Sequence, residues 1–158
     1  MDIRISFDDV YYKDDDRFTI CIKNLVINGD NLGYKEINVN EPLGKEIEKS
    51  VDNIKMYYEL DPDWNLTDAE TILKIQELVQ VVIDRYAQKL NYDDGVSLAG
   101  YYDSTNKKFA DEAKEFIKFR DNCWTLCYDF LNRYESGEIR RPLPSEVLNA
   151  VWLQNMQK

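Results

Sequence analysis

The stretch from Phe109 to Leu131 constrains the fold more than any other part of the sequence. Apolar and aromatic side chains recur there at helical spacing over its whole length, which is too long for a typical strand. We predict one helix from about Lys107 to Glu135, closed by Gly137 as a C-cap. Its predicted apolar stripe consists of Phe109, Ala113, Phe116, Ile117, Trp124, Cys127, Phe130, Leu131 and Tyr134.

A second long helix is predicted to start after Thr67, where Thr67-Asp-Ala-Glu70 forms a capping box, and to end at Asn91–Gly95. A loop over 96–106 joins the two helices, so they should lie antiparallel as a hairpin. Ser145 should cap a last short helix, and that helix or the N-terminal strands must cover the open side of the hairpin. The predicted stripe of the second helix is Ile72, Ile75, Val79, Val82, Ile83, Tyr86 and Leu90, and that of the last is Val147, Leu148, Val151 and Trp152.

The first third of the chain has strand periodicity. Ile3, Ile5 and Phe7 alternate with polar residues, and the segments 17–27 and 34–39 behave similarly around an Asn28-Gly turn signal. Residues 11–16 are predicted to be a polar turn, and residues 45–60 fit either a helix or a strand. The fold class is therefore α+β: an antiparallel β-meander, an antiparallel helical hairpin and a short C-terminal helix.

The best domain boundary is at Pro62, which disfavours helix at Asp61. It separates a β-rich region, 1–62, with a possible adaptor or recognition role, from a helical docking domain, 63–158. Residues 1–63 carry 15 acids and 8 bases, a balance of −7, whereas 64–158 carry 15 acids and 12 bases, a balance of −3.

Composition excludes several function classes. A net charge of −10 opposes direct binding to nucleic acid, which needs clustered cations; the acidic surface serves solubility or matches a basic partner. The absence of histidine removes the commonest general base. Without a long apolar run, we expect no membrane contact and a soluble, intracellular protein.

No motif points to a cofactor, a metal or a catalytic site. Cys123 and Cys127 lie one helical turn apart and could supply two metal ligands, but buried reduced thiols are the simpler interpretation. Asp14–Asp16 and Asp93-Asp94 lack the glycine and distal glutamate of a calcium loop and are interpreted as surface turns. We therefore expect no enzyme activity, and a hydrolase built on carboxylates is the weakest alternative.

A set of residues between 73 and about 146 resembles a known family. It comprises Tyr92-Asp93, the Ser97–Tyr102 loop, Phe109, Glu112-Ala113, Phe119-Arg120-Asp121, Trp124 and Pro142-Leu-Pro144. This arrangement resembles the C-terminal module of small bacteriophage tail-fibre-associated or tail-fibre assembly proteins. One departure is Phe119, where that module would have tryptophan, and residues 1–66 have no such resemblance.

The resemblance implies a non-enzymatic phage tail protein or assembly factor. Its partner would be a phage tail or tail-fibre protein, with homo-oligomer formation possible, and it would act in the host cytoplasm during assembly or in the virion tail. The alternative is a small acidic phage inhibitor that mimics DNA and blocks a host nucleic-acid-binding enzyme, because size and charge suit that role as well.

Six residues are candidates for function or structure. Tyr101 and Tyr102 lie in a predicted loop, and Arg140 and Arg141 stand beside two prolines, so we predict that all four contact the partner at one surface. Arg120 and Trp124 are predicted to be structural, with Trp124 mostly buried. Arg120 should pair with Glu112 or Asp84 and stack on a ring, or alternatively anchor a partner.

Overall fold

A computed structural model describes residues 4–156, with side chains through Leu153, and confirms the α+β fold class. The chain divides into two compact units between Asn65 and Leu66, three residues beyond the predicted boundary. Each unit has its own hydrophobic core. We call residues 1–65 the N-terminal unit and residues 66–158 the helical unit.

The N-terminal unit is a five-stranded sheet built around one long central strand. Its elements are β1 (Ile5–Ser6), β2 (Asp9–Tyr12), β3 (Thr19–Ile27), β4 (Asp30–Asn38), α1 (Pro42–Ser50) and β5 (Lys55–Met56), followed by 3₁₀ turns at Tyr57–Leu60 and Pro62–Asn65. β3 pairs antiparallel with β1 and β2 and also with β4, whereas β5 adds parallel to β2. The ambiguous segment 45–60 therefore contains a helix, a short strand and a 3₁₀ turn.

In the N-terminal unit the predicted turn at Asn28-Gly29 is confirmed, whereas the polar turn predicted over 11–16 is not confirmed over its whole length. Asn28 and Gly29 have positive φ angles of 50° and 86°, which two-residue hairpin turns require, and they join β3 to β4. The predicted polar turn over 11–16 is wrong at its start, because Tyr11 and Tyr12 pair with β3 and Tyr12 is buried. The first predicted strand is split around Phe7, and Ile3 lies outside the described residues.

One face of the sheet holds the core of the N-terminal unit, which α1 covers. The buried residues of this core are Tyr12, Ile20, Ile22, Leu25, Ile37, Ile47 and Met56. α1 approaches the end of β4 closely at Gly44, where an added Cβ would lie 2.3 Å from the Asn38 carbonyl oxygen. A larger residue at this position would push the helix off the sheet.

The helical unit contains α2 (Asp68–Lys89), α3 (Gly95–Ala99), α4 (Lys107–Glu135) and α5 (Pro144–Met156). At the start of α2 the Thr67 hydroxyl accepts a hydrogen bond from the Glu70 amide and donates one to its carboxylate, as expected of a capping residue. Gly137, with a φ of 80°, follows the end of α4. Both helix boundaries agree with the sequence prediction.

α2 and α4 lie antiparallel. Tyr86, near the end of α2, stacks on Phe119 of α4 with ring centroids 4.6 Å apart, while Tyr134 at the end of α4 bonds Asp68 at the start of α2. α5 packs against both helices and covers the hairpin, as the unpaired stripes require. The core consists of Ile75, Val79, Ile83, Ala87, Leu98, Ala113, Phe116, Phe119, Cys123, Cys127, Leu131, Val147 and Val151.

The predicted stripe of α4 faces the core, but it leaves out two residues of that core. Phe119 and Cys123 are buried, whereas Trp124 is only partly buried and its ring lies 6.2 Å from that of exposed Tyr128. Trp124 thus packs against the margin of the core, and most of its side chain is buried, as predicted. In α5, Val147 and Val151 are buried as predicted, but Trp152 is exposed.

Candidate interaction surface

Tyr101 and Tyr102 lie in a turn directly after α3, and their side chains are 41% and 47% exposed. The turn is fixed by backbone hydrogen bonds from Tyr101 N–H to the Leu98 carbonyl and from Tyr102 N–H to the Ala99 carbonyl. Leu98 is fully buried, so it anchors the turn to the core. Val96, one turn earlier, is 80% exposed. We call Val96, Tyr101 and Tyr102 the tyrosine surface.

Tyr101 stands at the edge of an aromatic cluster. Its ring centroid lies 5.4 Å from that of Tyr92 and 5.4 Å from that of Phe109, in the first turn of α4. Edge-to-face and tilted contacts of this kind favour a defined ring orientation. Tyr101 is therefore held by its inner side while the other side faces solvent.

Tyr92 supports the cluster from beneath. Its hydroxyl oxygen is enclosed and, within the part of the chain that the structure describes, makes no hydrogen bond of ordinary geometry. Burial raises the pKa of Tyr92, and the negative charge of the nearby Glu112 carboxylate raises it further. Tyr92 stays protonated at neutral pH and serves as packing.

Tyr102 is covered on one side by a cation. The Lys114 ammonium lies 5.5 Å from the centre of the Tyr102 ring, within the range of a cation–π contact. The part of the Tyr102 ring that Lys114 does not cover is open to solvent. Lys107 and Lys108, on the first turn of α4, pair instead with Asp111 and Glu112 one turn away.

The short helix α3 was missed by the sequence prediction, which placed a loop over 96–106. Asp94 caps α3 by accepting a hydrogen bond of 2.8 Å from the Ser97 amide, and this backbone bond lowers the pKa of Asp94. Asp84 of α2 accepts the Gly95 amide at 3.0 Å and ties α3 to the hairpin. An aspartate before a Gly-Val-Ser-Leu run was the available signal for this helix start.

Arg140 and Arg141 do not form the exposed surface that the sequence suggested. Arg140 makes two hydrogen bonds to Glu146, of 2.8 and 3.0 Å, and Arg141 bonds Asp68 at 3.1 Å. Their side chains are only 24% and 17% exposed, and the segment 142–144 is buried. The predicted exposure of this segment is wrong because both arginines fasten it to the helices.

The structure also places the two arginines far from Tyr101 and Tyr102, with which they were predicted to share a surface. Arg141 binds at the start of α2, whereas Tyr92, on which Tyr101 packs, follows the end of that helix. A helix of that length spans roughly 30 Å at 1.5 Å per residue. Tyr101 and Tyr102 therefore form a surface without Arg140 and Arg141.

Arg120 also differs from its predicted pairing. Its guanidinium bonds the adjacent Asp121 at 3.0 Å and its side chain is 37% exposed. Glu112 lies beside Lys108, and Asp84 is occupied by Gln80 and Gly95, so neither expected carboxylate is its partner. Such an exposed pair contributes little to stability.

The cluster of Asp68, Tyr134 and Arg141 predicts a pH dependence. The Tyr134 hydroxyl first, and the Arg141 guanidinium second, hold the pKa of Asp68 below its usual range. Such a depressed pKa stabilises the fold above the unfolded value of about 3.9 and stops doing so as pH falls through the lower, folded value. Urea unfolding of the protein and of Asp68→Asn should differ at pH 6 and converge as the pH falls below about 4. A constant difference across that range would contradict this role of Asp68.

A separate cleft of about 480 Å³ lies in the N-terminal unit, with Arg17, Asn53 and Lys55 among its lining residues. The Tyr12 hydroxyl donates to Glu48 at 2.9 Å, and burial first and Glu48 second raise the pKa of Tyr12. Two carboxylates and two cations balance within it, and both carboxylates already accept protein hydrogen bonds. This cleft shows no ligand preference.

The structure adds two further observations on chemistry and location. All three cysteines are buried thiols, and within residues 4–156 no three side chains of the metal-binding types come together. In the same range no helix has both the length and the apolar character needed to cross a bilayer. Comparisons with known proteins give no further lead, since no protein family, curated protein or solved structure matches this chain.

Proposed function

We propose that the helical unit is a docking module that binds a partner protein through the tyrosine surface. The observation that supports this is a pair of adjacent tyrosines held half-exposed on a fixed helical turn. Large aromatic side chains that are already ordered lose little entropy on binding and are enriched among the residues that dominate binding energy. A binding role also agrees with the lack of any histidine or cofactor motif.

The partner that we propose is a component of a phage tail, and specifically a tail-fibre protein. This part of the proposal depends on the resemblance carried by residues 73 to 146. The protein would then act in the host cytoplasm during assembly, or remain in the virion tail. Phe109 and the Ser97–Tyr102 segment, which carry part of that resemblance, both belong to or border the tyrosine surface.

The test is a binding measurement between the full chain and candidate tail-fibre proteins, beginning with the products of the genes adjacent to its own. Tyr101→Ser/Tyr102→Ser should weaken binding about 30-fold or more in calorimetry, the loss typical of two residues at an interface hot spot. The matched control is Tyr128→Ser, because Tyr128 is 52% exposed and lies in the same unit on α4. Control binding should stay within about twofold of the unchanged protein.

Folding must be followed in the same samples, because Tyr101 packs on Phe109. Tyr102→Ser alone removes a ring whose described contact is with Lys114, so it tests the surface with less risk to the core. Unchanged binding in both variants, or an equal loss in Tyr128→Ser, would overturn the proposal.

A further inference from the structure

Within the segment that carries the exposed tyrosines, all charged residues are acidic. Residues 91–106 contain Asp93, Asp94 and Asp103 and no lysine or arginine. Asp94 is engaged as the cap of α3. Asp93 and Asp103 are exposed, and within residues 4–156 neither forms an ion pair. We call these two residues the acidic rim.

Each residue of the acidic rim is next in sequence to a tyrosine of this region. Asp103 directly follows Tyr102, and Asp93 directly follows Tyr92, whose ring contacts Tyr101. The protein itself places a cation on this surface, since Lys114 lies over the Tyr102 ring. Ring faces and free carboxylates therefore occur together, and both attract positive charge.

We infer that the segment which docks on the tyrosine surface is basic, with an arginine stacked on Tyr101 or Tyr102 and bonded to Asp93 or Asp103. Arginine suits this site better than lysine because its planar guanidinium stacks on rings and bonds a carboxylate through two N–H groups at once. The inference rests on the proposed docking function and specifies the chemistry of its partner.

Substitution of Lys114 tests whether the docking segment is positively or negatively charged. Its ammonium occupies the face of Tyr102 that an arginine would use, and it repels a basic segment. Lys114→Gln should therefore tighten binding of a basic segment, by roughly two- to fivefold. An acidic partner would respond in the opposite direction, because the same substitution removes an attractive charge.

The probe is a fluorescein-labelled peptide in which arginine alternates with glycine and serine, compared with a twin in which each arginine is replaced by citrulline. Citrulline keeps the shape of the side chain and removes its charge. The full chain should bind the arginine peptide in fluorescence anisotropy and bind the citrulline peptide at least about tenfold more weakly. This preference should diminish as salt rises from about 50 to about 300 mM.

The acidic rim is tested by Asp93→Asn/Asp103→Asn, which should weaken binding of the arginine peptide about three- to tenfold. The matched control is Glu77→Gln/Glu135→Gln, because these two acids are exposed, belong to the same unit and change the net charge equally. The control should change binding less than about twofold. An equal loss in both double variants would mean that only overall charge matters and would overturn the inference.

The partner protein then separates this inference from the docking function. If Tyr101→Ser/Tyr102→Ser abolishes partner binding while Asp93→Asn/Asp103→Asn and Lys114→Gln leave it unchanged, the docking function holds and the basic segment is wrong. If none of these variants affects partner binding, both are wrong. Weakening by the aspartate variant together with tightening by Lys114→Gln supports both.

Discussion

Phe116→Ala is expected to destabilise the helical unit by about 3–5 kcal/mol, the usual cost of truncating a buried phenylalanine to alanine. Phe116 is fully buried and its ring centroid lies 5.7 Å from that of Tyr86 on α2. The end of the same ring lies beneath Gly95, at the start of α3. The side chain therefore fills space between three helices, and none of them can close the cavity without leaving its other contacts.

The measurement is urea unfolding of the full chain followed by circular dichroism at a helical wavelength. Tyr128→Ala, on the same helix but half exposed, is the control and should change the unfolding free energy by no more than about 0.5 kcal/mol. Similar losses in the two variants would show that the cavity at Phe116 collapses or that Phe116 is not at the centre of the packing of α4.

The length and pairing of the long helices were predictable because they depend on periodicity and capping. Thr67 begins α2 and Gly137 follows α4, and each has a local reason that needs no tertiary contact. The exact buried arc of α4 was not predictable in the same way. Phe119 lies outside the predicted stripe and Trp124 belongs to it, yet Phe119 is the more deeply buried, because burial depends on where α2 and α5 lie.

The roles of Arg140 and Arg141 depend on the carboxylates with which they pair. Arg141 bonds Asp68, which belongs to another helix, and Arg140 bonds Glu146 across the start of α5. The sequence showed two cations next to prolines and suggested a free surface. The pair between Arg141 and Asp68 becomes visible only when the helices are assembled, because its distance is set by tertiary packing.

The candidate surface was only partly predictable, because the contacts that support it also depend on tertiary packing. Tyr101 and Tyr102 are exposed, as a polar and glycine-containing segment indicates. The sequence did not reveal that α3 would hold them, that Tyr92 and Phe109 would support Tyr101, or that Lys114 would reach Tyr102. These contacts join segments before, within and after the connection between α2 and α4.

Gly95→Ala is expected to destabilise the helical unit, whereas Gly100→Ala should not. An added Cβ at Gly95 would lie 2.7 Å from Phe116 and 3.2 Å from Ile83, both fully buried. Overpacking of this kind costs about 1–3 kcal/mol. The better helix propensity of alanine recovers at most about 1 kcal/mol, so the net effect should be a loss of stability.

Gly100 is the matched control because it lies directly after the same short helix. Its φ is −61°, and an added Cβ would meet the Ser97 carbonyl at 3.4 Å, an ordinary contact. Gly100→Ala should therefore be neutral or stabilise the unit by about 0.4–1 kcal/mol, because it restricts the unfolded chain. In thermal and urea unfolding, Gly95→Ala should therefore lower the stability, whereas Gly100→Ala should leave it unchanged or raise it.

A double-mutant cycle tests whether the clash with Phe116 is the cause. Phe116→Leu is destabilising by itself, but it removes the ring end that an alanine at position 95 would meet. Gly95→Ala should therefore cost less in the Phe116→Leu background than in the unchanged protein, with a coupling of at least about 0.5 kcal/mol. Strictly additive effects would mean that the loss comes from Ile83, Asp84 or the backbone, and that α3 does not depend on its contact with Phe116.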